Sequence, residues 1–154
     1  MSLQQLKSVI DKLEAFDFAG EQERIVSDHR NVIADMQAEQ LALGKNSKGE
    51  DITLDGRGYT PFTIQEKKAK GVGLGKITSR ITWFMTGALY GSLYAEVSAH
   101  KFYIKSNSFK FDKLVKRSGA KTIGLNETLR RRFAEDIALP EIRKVFISKT
   151  GLKF

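Results

Sequence analysis

The chain of 154 residues is 41% hydrophobic and 29% charged, with ten Phe, four Tyr and one Trp, which excludes intrinsic disorder and matches the size of one core. It has no cysteine, so disulfides, thiolate metal sites and cysteine nucleophiles are excluded together. Its net charge of +8 is unevenly placed: residues 1–44 hold four Lys/Arg against eight Asp/Glu, while residues 45–154 hold 22 against ten. The expectation is a single domain over residues 1–154, with 1–44 an acidic helical arm and 45–154 a basic α+β body. Such a split suits nucleic-acid binding or complementarity between neighbouring protein surfaces. No apolar run reaches the length of a membrane span, and the N-terminus lacks a basic segment followed by an apolar one, so neither a signal peptide nor a membrane span is expected.

Leu3, Leu6, Val9, Ile10 and Leu13 recur at helical spacing and predict an amphipathic helix ending near Asp17. After Gly20, the pattern Ile25, Val26, His29, Ile33, Met36, Leu43 predicts a second helix over 21–43, stopped by Gly44. At the usual rise it would run about 34 Å, long enough for one end to project toward a partner. Lys45 to Gly58 is rich in Asn, Ser, Gly and Asp and reads as a loop or hairpin with little to bury. Pro61 biases Thr60 away from the α region, and a short helix begins at Thr63. Gly71, Gly73 and Gly75 make the segment up to Lys76 irregular and mobile unless a partner orders it.

Ile77–Phe84 is rich in β-branched and aromatic residues and predicts a strand. Thr86–Leu93 forms a turn or short helix, and Tyr94–Val97 with Lys101–Lys105 predicts an antiparallel hairpin around Ser98-Ala99-His100. Asn126 is an N-cap for a helix through Leu139, which Pro140 kinks or follows with a second one. The fold class is therefore α+β: two N-terminal helices, a small antiparallel sheet, and a C-terminal helix or kinked helix pair.

The chemistry-bearing patterns point away from catalysis. The segment Gly71–Lys76 fails the phosphate-loop pattern, since Lys70 stands where the first glycine belongs and Ile77 where Ser or Thr should bind magnesium. His29 and His100 have no partner histidine at ligand spacing, and His29 falls on an apolar stripe, where a hydrogen-bonded core or interface histidine is expected. Glu135 and Asp136 are adjacent on a helix and diverge, which makes a poor acid–base pair. No enzyme activity, cofactor or metal is expected.

Basic residues give an alternative. Lys67, Lys68, Lys70, Lys76 and Arg80 surround the glycine segment, Arg130, Arg131 and Arg132 lie on the last helix, and Lys110, Lys113, Lys116, Arg117 and Lys121 interleave with Phe102, Tyr103, Phe109 and Phe111. Cations on phosphates with aromatics stacked on bases would bind single-stranded nucleic acid. Alternation along Lys101–Lys105 places Phe102 and Ile104 on one face, which favours core aromatics with a solvated cationic rim.

The order of short motifs adds a resemblance. A polar turn Gly44-Lys45-Asn46-Ser47-Lys48-Gly49-Glu50 is followed by Tyr59-Thr60-Pro61-Phe62-Thr63-Ile64 with Lys67, Lys68 and Gly71, and then by Thr86-Gly87-Ala88-Leu89-Tyr90. After the hairpin come Lys113, Leu114 and Lys116, and finally Ile123-Gly124-Leu125. Over most of residues 32–145 this order resembles the minor structural proteins of tailed phages and prophages, of the tail-completion or head–tail joining type, in phages of Bacteroidales-like hosts. The chain departs from them at Met85, where Asp often precedes Thr-Gly, and in reduced acidity after the hairpin. The resemblance implies a virion component made in the bacterial host cytoplasm, with connector or tail proteins and copies of itself as partners. It assigns Tyr59, Pro61, Thr86, Gly87, Leu89, Tyr90 and Gly124 to the shared motif and Lys70, Gly71, Gly73, Gly75 and Lys76 to a partner-contact loop.

Overall fold

Ser2 opens the first helix, α1 (Leu3–Glu14), through a reciprocal capping box with Gln5 in the computed structural model, which describes residues 2–98 and 101–152. Asp17 caps α2 (Phe18–Asp28) by accepting the Gly20 N–H, and α3 (Arg30–Ala42) follows after a single residue. The predicted long helix is thus two helices broken at His29, whose backbone (φ −104°, ψ 19°) leaves the helical region. His29 Nε2 lies 2.6 Å from Glu141 Oε1 and its ring stands edge-on to Phe133, so a contact 112 residues away sets the break. The expected hydrogen-bonded histidine is there, and the projecting helix end is not. Instead α3 is the most buried helix, and it supports the sheet.

That sheet is one antiparallel hairpin, β1 (Leu93–Ser98) and β2 (Lys101–Ser106), in the register Ala95↔Ile104 and Val97↔Phe102. Ala99 and His100 lie outside the described residues. Ala95 and Ile104 meet Ile33, Met36, Leu125, Leu129 and Phe133 in one core cluster, while Tyr94 and Tyr103 face outward. A second cluster gathers Leu41, Ile52, Leu54, Ile81, Trp83 and Phe111 around the hairpin's other end. The α+β class holds, with three N-terminal helices over residues 3–42 where two were expected.

Between these clusters the chain is less regular than its composition suggested in one place and more ordered in another. Ile77–Phe84 forms no strand: the backbone bends at Ser79 and Arg80, and Trp83 at φ +56° leaves the β region. Its polar groups go to side chains instead: the Thr82 N–H donates to Tyr59 Oη at 3.0 Å, and Tyr90 Oη donates to the Thr82 carbonyl. The Lys45–Gly58 segment is pinned rather than loose. Buried Asn46 accepts from the N–H groups of Lys48 and Glu50, the Ser47 N–H donates to the Lys121 carbonyl, and Ile52 and Leu54 enter the core.

Thr60 caps α4 (Pro61–Lys70), with Pro61 in the first turn where its missing N–H needs no acceptor. Gly87 (φ +95°) starts the short α5 (Ala88–Gly91), and α6 (Phe111–Ser118) follows the hairpin. Asn126 accepts the Leu129 N–H to cap α7 (Glu127–Phe133), as its position predicted. A π turn over Ala134–Ala138 then leads into α8 (Leu139–Thr150). The wide turn sets Pro140 in the first turn of α8, and the backbone stays in the right-handed helical region at Ala134, Ala138 and Leu139, so α7, the π turn and α8 follow one another without a loop.

Candidate functional site

The glycine segment assigned to partner contact is built into the fold. The Val72 N–H donates to the Met85 carbonyl at 3.1 Å, and Gly73–Lys76 closes a 3₁₀ turn. Gly75 is buried with its Cα against Met85: a Cβ there would lie 2.9 Å from the Met85 carbonyl carbon and closer still to its oxygen. A Cβ on Gly71 would lie 2.5 Å from the Gly75 carbonyl carbon. These glycines permit close backbone approach, and the 3₁₀ turn stands where an irregular segment was expected. Gly73 (φ +53°) faces open space, and Lys76 is exposed at the end of the turn.

The candidate basic patch does not converge. Lys67 is only 1% exposed, its ammonium donating to the Phe84 carbonyl and lying 4.8 Å from the centre of the Tyr59 ring. Lys68 is exposed, while Lys70 pairs with Glu66 at 2.8 Å. Arg80 donates to the Ala42 carbonyl at the end of α3, and Arg130 to the Leu125 carbonyl. Arg132 grips Glu39 through both guanidinium nitrogens, at 2.6 and 3.1 Å, and this pairing holds the Glu39 carboxyl below its ordinary range. Arg131 is exposed beside Glu127, Glu135 and Asp136, so its surroundings are of mixed sign.

Tyr59, Tyr90, Leu89 and Gly124 of the shared motif pack or bond within the fold. Tyr59 and Tyr90 together satisfy Thr82, and burial pushes the Tyr90 phenol above its ordinary range. Leu89 packs on the second core cluster, and Thr86 is exposed. Gly124 (φ +111°) is held by two buried glutamines that sequence reasoning missed. Gln37 accepts its N–H at 2.8 Å, and Gln40 donates to its carbonyl at 2.9 Å while accepting from the Asn126 N–H at 2.7 Å. The two side-chain amides thus pair with the backbone of Gly124 and Asn126 as a neighbouring strand would. The signal was present: Gln37 and Gln40 fall within the helical stripe of Ile33 and Leu41.

What the core leaves uncovered is more informative. No residue of α1 is buried: Leu3 is 86% exposed, and Leu6, Ile10 and Leu13 are each above 40%. These four recur at i, i+3, i+7 and i+10, one continuous aliphatic stripe along the helix. The corner after α1 is anchored by Phe16 and Phe18 packed on Phe146 of α8, so the helix is fixed at one end and bare along its apolar face. Elsewhere, α2, the hairpin and the start of α8 enclose an apolar groove of about 360 Å³, floored by Val26, Val97, Phe102 and Ile142. No group of three or more acidic or histidine side chains able to hold a metal occurs among the described residues, nor does a helix long and apolar enough to cross a membrane.

Comparison with protein-family models, with curated proteins and with solved structures finds no match to this chain.

Proposed function

We propose that this chain is a non-enzymatic assembly protein acting by protein–protein surface complementarity. The observation that carries the reading is the bare aliphatic stripe Leu3, Leu6, Ile10 and Leu13 on a capped, anchored helix. A chain with two filled core clusters gains nothing within itself from leaving that stripe in water, and such faces on soluble domains mark protein contacts. The finer reading rests on the motif order from Gly44 to Leu125. By that resemblance the protein is a minor virion component at the head–tail junction or tail end of a tailed phage, made in the bacterial cytoplasm, with connector or tail proteins as partners and no cofactor. Sequencing the DNA on either side of the gene tests it. Portal, capsid or tail genes are the expected neighbours, and metabolic neighbours with no virion genes would overturn the phage placement.

One observation favours a second reading, nucleic-acid binding. Phe109 is 89% exposed with the Lys110 ammonium 5.5 Å from its ring centre, and Lys113 and Lys116 lie exposed on the following helix. A labelled single-stranded DNA titrated at 50 and 200 mM salt decides it. Binding that weakens steeply with salt and is lost in Phe109→Ala supports this reading, and no binding at 50 mM removes it.

A further inference from the structure

We propose that the open edge of β2 takes up an extended peptide as a third strand, one in which apolar and acidic residues alternate. This goes beyond the assembly reading, and the α1 stripe plays no part in it. The Asn107 N–H donates to the Ser92 carbonyl at 3.2 Å, so these two residues form a hydrogen-bonded pair that continues the β1–β2 register. Bonded and non-bonded pairs alternate along an antiparallel ladder. Tyr103 and Lys105 therefore bond to β1, while Phe102 and Ile104 turn their N–H and C=O groups away from it. Among the described residues these outward groups have no hydrogen-bond partner. Ile104 is nevertheless only 7% exposed, and backbone groups so enclosed call for a partner.

The edge opens on a cleft of about 270 Å³ that Phe102, Tyr103 and Ile104 share with Phe111 and Val115 of α6 and with Ile123. Tyr103 points to the opposite face of the sheet from its two neighbours, so a cleft lined by all three and by no described residue of β1 runs along the edge of β2. The chain does not fill that place itself. Ile123 is extended (φ −101°, ψ 138°), but Gly124 after it donates its N–H to Gln37 and accepts at its C=O from Gln40, both on α3.

The edge specifies its occupant. An extended backbone offers donors and acceptors at the two-residue repeat of Phe102 and Ile104, and antiparallel addition continues the existing ladder. Residues bonded to Phe102 and Ile104 share their face of the sheet, so their side chains enter the cleft beside Phe111 and Val115 and should be apolar. The residues between them lie on the other face, bordered by Lys101, Tyr103 and Lys105. Glu96, the acidic residue of that face, already pairs with Lys105 and lies one strand further away. Acidic side chains at the intervening positions therefore complement the charge that β2 presents.

The probe is a synthetic peptide of about seven residues that alternates valine with glutamate, capped at both ends and labelled with a fluorophore. Anisotropy titration with the full chain should give a Kd of roughly 10–500 µM. N-methylation of the valines removes the N–H groups that reach Phe102 and Ile104 and should weaken binding about tenfold or more. N-methylation of the glutamates, whose N–H groups point away from β2, should change it by less than about threefold. Lys101→Glu/Lys105→Glu, at two exposed positions, should weaken this peptide and favour one that alternates valine with lysine. No binding at about 1 mM would overturn the proposal. So would binding indifferent to which nitrogens carry the methyl group, since that marks mere attraction of an acidic peptide to a basic chain. Leu6→Gln/Ile10→Gln should bind the peptide as the wild type does, and loss of binding there would place the peptide on α1 and overturn the proposal as well. A negative result leaves the assembly reading to its own test on the flanking genes.

Discussion

Replacing Gly75 by alanine should unfold the protein at distinctly lower temperature. The new Cβ would lie 2.9 Å from the Met85 carbonyl carbon and nearer its oxygen, and both partners are backbone that no rotamer change can move. Restoring contact distance requires the 3₁₀ turn and the Met85 segment to separate by roughly 1 Å, an overpacking strain worth about 1–3 kcal/mol. The separation also stretches the Val72 N–H bond to the Met85 carbonyl, now 3.1 Å, and losing that bond adds about 1 kcal/mol. For a domain of this size each kcal/mol lowers Tm by roughly 2–4 °C, so a fall of about 5–15 °C follows. Trp83, the single tryptophan, is buried against Phe111 and donates to Ser118, so its fluorescence reports the loss of the second core cluster. Gly58→Ala is the control, since a Cβ there meets nothing within 4 Å, and its effect should stay within about 0.5 kcal/mol. A Gly75→Ala protein melting within about 1 °C of the wild type would refute the reasoning, because the segment would then open freely.

Gln40→Leu should cost about 2–5 kcal/mol, because it strands the part-buried Gly124 carbonyl and Asn126 N–H together; urea denaturation should show a lower midpoint at unchanged slope. Lys67→Met keeps the aliphatic stem but leaves the Phe84 carbonyl unpaired, and should cost about 1–3 kcal/mol where the exposed neighbour Lys68→Met costs under about 0.5. Lys149 and Arg24 hold the Glu21 carboxyl below its ordinary range, Arg132 does so for Glu39, and Lys121 and Asn46 for Glu50. The folded state therefore binds these protons less readily than the unfolded chain does. The stability they contribute is present above about pH 4.5 and lost as pH falls through the lowered values, so the urea midpoint should drop on acidification. The triple variant Glu21→Gln/Glu39→Gln/Glu50→Gln should flatten that dependence, and an unchanged profile would count against these pairs.

The parts of the fold legible in the sequence are those set by neighbours in the chain. Thr60-Pro61 and Asn126 start helices through bonds three residues long, and the alternation in β1 and β2 places Ala95 and Ile104 inward in any antiparallel pairing. The break at His29 was hidden because Ile25, Val26, His29, Ile33 and Met36 keep helical spacing straight through it and no glycine or proline interrupts. Its determinant, Glu141, lies in the last helix. Ile77–Phe84 has strand composition, but its backbone finds tyrosine hydroxyls instead of a strand, and nothing local announces Trp83 at positive φ. Of the candidate site residues, Gly71, Gly75 and Lys67 were singled out for composition that suits a flexible basic loop. Close backbone approach needs the same glycines, and only the tertiary neighbours distinguish the two cases.

The charge asymmetry of the sequence suggested an acidic arm on one copy facing a basic body on the next, yet Glu21, Asp28 and Glu39 of that arm find cations within the chain. Glu21 pairs with Lys149 and Glu39 with Arg132, each joining the N-terminal third to the last helices. Of that third, only α1 stands off the core, and its own charges balance: Lys7 and Lys12 against Asp11 and Glu14. An interface built on α1 must therefore draw its energy from the aliphatic stripe. Association through that stripe should accordingly survive 1 M NaCl, where exposed ion pairs are screened over roughly 3 Å. Nucleic-acid binding through Lys110, Lys113 and Lys116 would be abolished under the same conditions. Association that disappears in high salt would place the contact on the basic body and not on α1.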